Sequence, residues 1–218
     1  MRYPILFLIF VVVGPFLTQA SAQENGTRGH FLQEVLRELS LRNGDVFALE
    51  LFAGEKGVES SYPQMDLNVI NAYTSSEKLL RAYFPQYEIV RSRTQPTLHF
   101  VISRRTNSVR SYAMKQKLGD FQFEGSANGL ISRIGDTVPS IKTVAFLPVP
   151  DMNNLAFFVV VPKVRVALQA SVVRDALSAC IDFDKTKGIA WVATTRVSKG
   201  EEHTEVSYTG DAVFLEVK

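Results

Sequence analysis

The chain has 218 residues, 46% hydrophobic and 21% charged, with nine prolines, 13 glycines and a single cysteine. That is the composition of a folded globular protein and excludes a disordered, collagen-like or disulfide-stapled chain. Lysine and arginine number 24 against 22 acidic residues, a formal charge of +2, too balanced for a surface devoted to nucleic acid.

Arg2 precedes an apolar run from Ile5 to Val13, a Gly14-Pro15 breaker and Ala20-Ser21-Ala22. This charged, hydrophobic, small-residue order is that of a secretory signal peptide over residues 1–22, with cleavage expected after Ala22. The uninterrupted run of nine apolar residues is well short of the roughly 20 that span a bilayer as a helix. No later run reaches that length, so no transmembrane span is expected once the signal is removed, and the mature chain is expected to be periplasmic or secreted. Cys180 has no partner for an internal disulfide and falls on an apolar helical stripe, which marks a buried small hydrophobe. Asn25-Gly26-Thr27 fits a glycosylation sequon beside the cleavage point.

In the mature chain, Phe31, Leu32, Val35, Leu36 and Leu39 recur at helical spacing and Asn43-Gly44 supplies a stop, predicting a helix over 31–43. Asp45–Phe52 reads as a strand, Gly54–Pro63 as a loop, and Met65, Leu67 and Val69 as the apolar side of a further strand. Thr74-Ser75-Ser76-Glu77 has the capping-box pattern and opens a short helix that Pro85 stops. Tyr87–Arg93 and Thr97–Ser103 read as strands joined by a turn at Gln95-Pro96, with Leu98, Phe100 and Ile102 on one side.

The grammar returns downstream. Phe121-Gln122-Phe123 leads through Ser126 into a helix carrying Leu130, Ile131 and Ile134. Val164, Val166 and Leu168 lead through Ser171 into a helix bearing Val172, Val173, Ala176, Leu177, Cys180 and Ile181. Strands follow at Ile189–Val197, Thr204–Tyr208 and Ala212–Val217. Leu67–Ile70 with Thr74 and Leu79 makes a third instance of strand, hydroxyl residue and apolar helix, which suggests duplication of a small α+β unit as much as the general taste of helices for hydroxyl caps. Phe157–Val161 is continuously apolar, as in a central strand covered on both faces, or in an edge strand that captures a partner.

Two stretches resemble the secretin and TonB short N-terminal domain, a small module of the periplasmic end of secretins and TonB-dependent receptors. One runs from Phe31-Leu32-Gln33-Glu34-Val35-Leu36 into Val46-Phe47-Ala48-Leu49, and continues through Leu67-Asn68-Val69-Ile70, Glu77-Lys78-Leu79-Leu80 and Tyr87-Glu88-Ile89-Val90. The other is Val164–Gln169, Val172–Leu177 and Ile189-Ala190-Trp191-Val192. The resemblance covers about half of the mature chain. It implies a stand-alone periplasmic interaction module with no catalytic residues to carry over.

Chemistry-bearing patterns are few. Ser75-Ser76-Glu77-Lys78, then Ser126-Ala127-Asn128, then Lys185-Thr186-Lys187-Gly188 resemble in order the penicillin-recognising serine hydrolases, which imply Ser75 as nucleophile, Lys78 as its activator, and Ser126 and Asn128 in support. The third motif departs from Lys-Thr-Gly, and the capping box explains the first. His30, His99 and His203 lack ligand spacing, so no metal is expected, and without a Gly-rich phosphate loop no cofactor is expected. Charge is distributed unevenly. Residues 91–119 hold Arg91, Arg93, Arg104, Arg105, Arg110, Lys115 and Lys117 with no acid, a local charge of +7, against −6 on the remainder of the mature chain. Such a run binds an acidic protein face, anionic polymer or lipid headgroup, or it pairs with acids elsewhere in the fold.

The expectation is an α+β protein of two small units, each a few-stranded mixed or antiparallel sheet with helices packed on one face. Residues 23–103 form the first, 104–120 a basic connection and 121–218 the second. The favoured role is a non-enzymatic binding module of the cell envelope acting through a sheet edge or the basic segment. Its expected partner is an envelope protein or anionic polymer or lipid headgroup, with no nucleic acid. The alternative is a hydrolase using Ser75 and Lys78.

Overall fold

The computed structural model describes residues 32–53, 70, 73, 75–107, 109, 112–143 and 162–216. The signal region, the Leu67–Val69 strand, the Phe157–Val161 run, the sequon, Thr74, His30 and Arg110 lie outside the described residues.

The fold is α+β. Helix α1, Leu32–Asn43, buries Leu32, Val35, Leu36 and Leu39 on one stripe and closes at Gly44, whose φ of +72° only glycine adopts without strain. Strand β1 is Val46–Phe52. Helix α2, Ser76–Tyr83, ends before Pro85 as expected, but its cap is Ser75 and not Thr74: the Ser75 hydroxyl accepts the Lys78 amide at 3.3 Å. Strands β2, Tyr87–Arg91, and β3, Leu98–Ser103, follow. A one-turn helix α3, Arg104–Asn107, and a 3₁₀ turn, Ala113–Lys115, lead to β4, Lys117–Ser126. Ser126 caps helix α4, Ala127–Thr137, by accepting the Gly129 amide at 3.0 Å. After β5, Ile141–Thr143, come β6, Lys163–Val172, the short helix α5, Val173–Ser178, and the hairpin β7, Gly188–Ser198, with β8, Glu201–Tyr208.

The helix expected from Ser171 is shorter than its apolar stripe suggests. Ala170 takes a left-handed φ of +47° in an irregular stretch of the β4–β6 pairing, and the Ser171 hydroxyl donates to the Gly119 carbonyl at 3.2 Å instead of capping a helix. The strand therefore runs on to Val172. Cys180 and Ile181 lie beyond the helix but are buried all the same. The strand expected at 212–217 is reduced to isolated bridges, Ile181 with Phe214 and Val164 with Glu216.

Among the described residues, six strands make a mixed sheet in the order β2-β3-β1-β7-β8-β5, and β4 pairs with β6 in an antiparallel ribbon. Strand β1 is parallel to both β3 and β7, so the two expected units share one sheet. The reason is written into β1, whose residues are buried on both faces from Val46 to Leu51. Such a strand needs a neighbour on each edge and a layer on each face.

The helices of each half do pack on one face, and the two faces are opposite. Phe47, Leu49, Leu51, Tyr87, Ile89 and Val101 meet α1 and α2 in one core. Val46, Ala48, Leu98, Phe100, Ile102 and Trp191 meet α4, α5 and the inner residues of the β4–β6 ribbon in the other. No helix among the described residues is long and apolar enough to cross a membrane.

If Ser75 is the α2 cap, Ser75→Ala should cost about 1 kcal/mol in urea-unfolding free energy, while Ser75→Asp, which keeps an acceptor, should cost a few tenths at most. Equal losses would place the cap elsewhere.

Candidate functional site

The sheet ends at β2, which pairs with β3 and with no other strand among the described residues. The ladder fixes which backbone groups look outward. The Arg104 amide donates to the Gln86 carbonyl at 3.0 Å and the Ser92 amide to the Leu98 carbonyl at 2.9 Å, and Tyr87 stands opposite Ser103 and Arg91 opposite His99. Even-numbered residues thus turn their amides and carbonyls toward β3, and Tyr87, Ile89 and Arg91 turn theirs to the outer edge. The Tyr87 amide is met by the Phe84 carbonyl at 3.0 Å. Among the described residues, Ile89 and Arg91 remain as outward donors and acceptors, the pattern that pairs an added strand.

The basic run does not gather into one patch. The β2–β3 hairpin folds it so that Arg91 and Arg93 lie at the turn end, while Arg104 and Arg105 follow Ser103 at the other end, about 17 Å away along the strands at some 3.4 Å per residue. All four are exposed. Arg91 Nε donates to the Pro96 carbonyl at 2.5 Å and Arg104 Nε to the Pro85 carbonyl at 2.9 Å, which props each guanidinium beside the edge. Arg105 lies over the Phe52 ring, 5.1 Å from its centre. Lys115 sits 5.9 Å from the Tyr112 ring centre and Lys117 opens β4.

Behind this edge, at the middle of the sheet, stands a fully buried carboxylate. Glu50 Oε1 and Oε2 accept from Arg174 Nε at 2.5 Å and Nη2 at 2.6 Å, a bidentate pair, and the Tyr112 hydroxyl donates to Oε2. The Arg174 guanidinium also stacks 4.8 Å from the Phe100 ring centre. Burial, followed by the negative charge of Glu50, lifts the Tyr112 hydroxyl far above its ordinary range, so it stays a donor. Burial works against the charge on Arg174, but the hydrogen bonds and charge of Glu50 outweigh it and hold the guanidinium protonated. Both oxygens of Glu50 are engaged by donors, so the assembly acts as a clamp between β1, α5 and Tyr112. Sequence reasoning passed over Glu50 and Arg174. The signal was present: a lone carboxylate inside Val-Phe-Ala-Leu-Glu-Leu-Phe must find a buried partner.

The residues of the hydrolase alternative are not brought together. Ser75 and Ser126 each accept a backbone amide as helix caps, and Lys78 is exposed with its amide, not its amine, on Ser75. Helix α2 packs in one core and α4 in the other, with the sheet between them, so Asn128, which is half-buried in the first turn of α4, is on the far side from Ser75. A different serine, Ser76, donates to Asp45 Oδ2, accepts from Asn43 Nδ2 at 2.9 Å, and shares that carboxylate with His99 Nε2, 3.2 Å from Oδ1. The carboxylate lies between hydroxyl and imidazole, so the imidazole cannot take the serine proton.

Burial raises the Asp45 carboxyl, but hydrogen bonds from His99 and Ser76 outweigh that and hold it below its ordinary 3.8. Cys180 is buried, its Sγ 3.2 Å from the Tyr208 hydroxyl, and burial pushes the thiol up to about 11. Among the described residues no group of three or more histidine, cysteine, aspartate or glutamate side chains gathers to hold a metal.

Comparison with protein-family models, with curated proteins and with solved structures finds no match for the chain.

Two outcomes follow. Arg174→Met should cost about 3–5 kcal/mol because it strands a buried charge, whereas Tyr112→Phe should cost about 1–3 kcal/mol for one lost donor; urea unfolding measures both, and near-neutral values would remove the clamp. For Asp45, a depressed native pKa gives stability that is fully present above the unfolded value of 3.8 and lost as pH falls through the lower native value. Asp45→Asn should therefore flatten the stability-against-pH curve below about pH 4 relative to the parent chain, read by unfolding at stepped pH.

Proposed function

We propose that this chain is an exported, non-catalytic binding module of the cell envelope that engages a partner protein by taking an extended segment of it onto the outer edge of β2. The observation that carries the reading is the outward row at Ile89 and Arg91 on the last strand of a six-stranded sheet. Main-chain hydrogen bonds from such an edge give affinity, and the side chains beside it give choice of partner. The sheet behind it is held by two cores and a buried clamp, so the edge is presented by a rigid scaffold and little ordering cost falls on the module when a segment pairs.

Two further features support the reading. The signal-peptide order of residues 1–22 points to export. The resemblance to the secretin and TonB short N-terminal domain points to a periplasmic interaction module. The serines of the hydrolase alternative, the neighbouring Ser76 and the lone thiol are otherwise employed: Ser75 and Ser126 cap helices, Ser76 is bound to Asp45, and the Cys180 thiol is held protonated by burial.

A displayed library of unstructured peptides, panned against the mature chain, should yield binders. An N-methyl scan of one of them should show losses of about tenfold at every second residue, since a strand presents alternate amides to its neighbour. An absence of binders, or losses without a two-residue period, would count against strand addition.

A further inference from the structure

The same edge carries information about what it binds. We infer that the segment added to β2 is acidic at both of its ends and neutral in the middle, an extended peptide whose carboxylates meet the two arginine groups that the hairpin places at the limits of the strand. This rests on the strand-addition reading above.

The argument is one of position and charge. At the turn end, Arg93 is exposed and Arg91 is propped by the Pro96 carbonyl; at the other end Arg104 is propped by the Pro85 carbonyl and Arg105 follows it. Arg91 already faces one acid, because its charge contributes to lowering Asp45. Arg93 and Arg104 form no ion pair with any described carboxylate. Between the two ends the outward-turned residue is Ile89, and the charged residue there is Glu88, which would repel an acid placed opposite the middle. A partner with acids about five residues apart matches the roughly 17 Å separation of the arginine groups.

A second copy of this chain is the wrong occupant. Whether two β2 strands pair parallel or antiparallel, each arginine end meets an arginine end, and like charges across an edge oppose pairing. Lipid headgroups offer the charge but no backbone to complete the ladder.

The test uses the folded mature chain and three synthetic eight-residue peptides sharing a four-residue threonine-valine middle, with two aspartates, two glutamines or two lysines at each end, so that the inner charges stand five residues apart. At low salt the aspartate peptide should bind at least tenfold tighter than the glutamine peptide and the lysine peptide weakest, with the difference closing as salt rises. Arg93→Gln with Arg104→Gln should shrink the difference to about threefold or less while leaving the glutamine peptide's affinity within about twofold; Arg93→Gln alone, at an exposed turn position, should remove part of it, and circular dichroism checks the fold of each. If the glutamine and aspartate peptides bind equally, or if both variants keep the difference, the charge inference is overturned and strand addition stands. If none of the three binds, strand addition fails with it. Concentration-dependent dimerisation of the chain that the aspartate peptide cannot displace would name the second copy as occupant and overturn the inference.

Discussion

A carboxylate cannot be left alone in the interior of a protein, and Glu50 is wholly inside. It sits in the central strand, where water is excluded from both faces. The cost of stripping it of solvent is offset only by the two-pronged approach of Arg174 and the hydroxyl of Tyr112. These residues are separated from Glu50 by 124 and 62 positions of chain. The pairing therefore demands that β1, the 3₁₀ turn and α5 be assembled together, and any arrangement that leaves α5 elsewhere strands two charges. Specificity of this kind comes from the penalty for error more than from the strength of the pair.

Around that clamp the sheet is organised by apolar demand. Strand β1 buries both faces, and the answer is a core on each side: α1 and α2 over Phe47, Leu49 and Leu51, and α4, α5 and the β4–β6 ribbon over Val46 and Ala48. Demand falls outward from the centre. At β2 the pattern of burial alternates and ends in an exposed arginine, and no described strand lies beyond it. There the apolar requirement has run out among the described residues but the hydrogen-bonding pattern has not.

Much of this was legible residue by residue. The stripe of α1, the Gly44 stop, the Pro85 breaker, the Ser126 cap and the facing of Leu98, Phe100 and Ile102 depend on neighbours within a turn of helix or a pleat of strand, and the structure has them as expected. The cap of α2 missed by one position because Thr74, Ser75 and Ser76 all carry a hydroxyl, and spacing alone does not rank them. The helix after Ser171 was overextended because its apolar stripe continues in sequence to Ile181, while the irregular β4–β6 pairing at Ala170 diverts the Ser171 hydroxyl to Gly119. The arginine run was legible as an excess of charge, but its division between two ends of a hairpin was not, since linear density carries no direction.

What the sequence by itself determined is the set of elements, their caps and breaks, and the α+β class, because those follow from contacts over three or four positions and from the periods of helix and strand. Only the tertiary structure decided that β1 lies between β3 and β7, that β2 is the edge, and that Arg174 is the partner of Glu50. Every strand offers the same row of backbone donors and acceptors, so nothing in a strand's own residues names its neighbour. That choice is made by packing both cores and satisfying one buried charge at the same time.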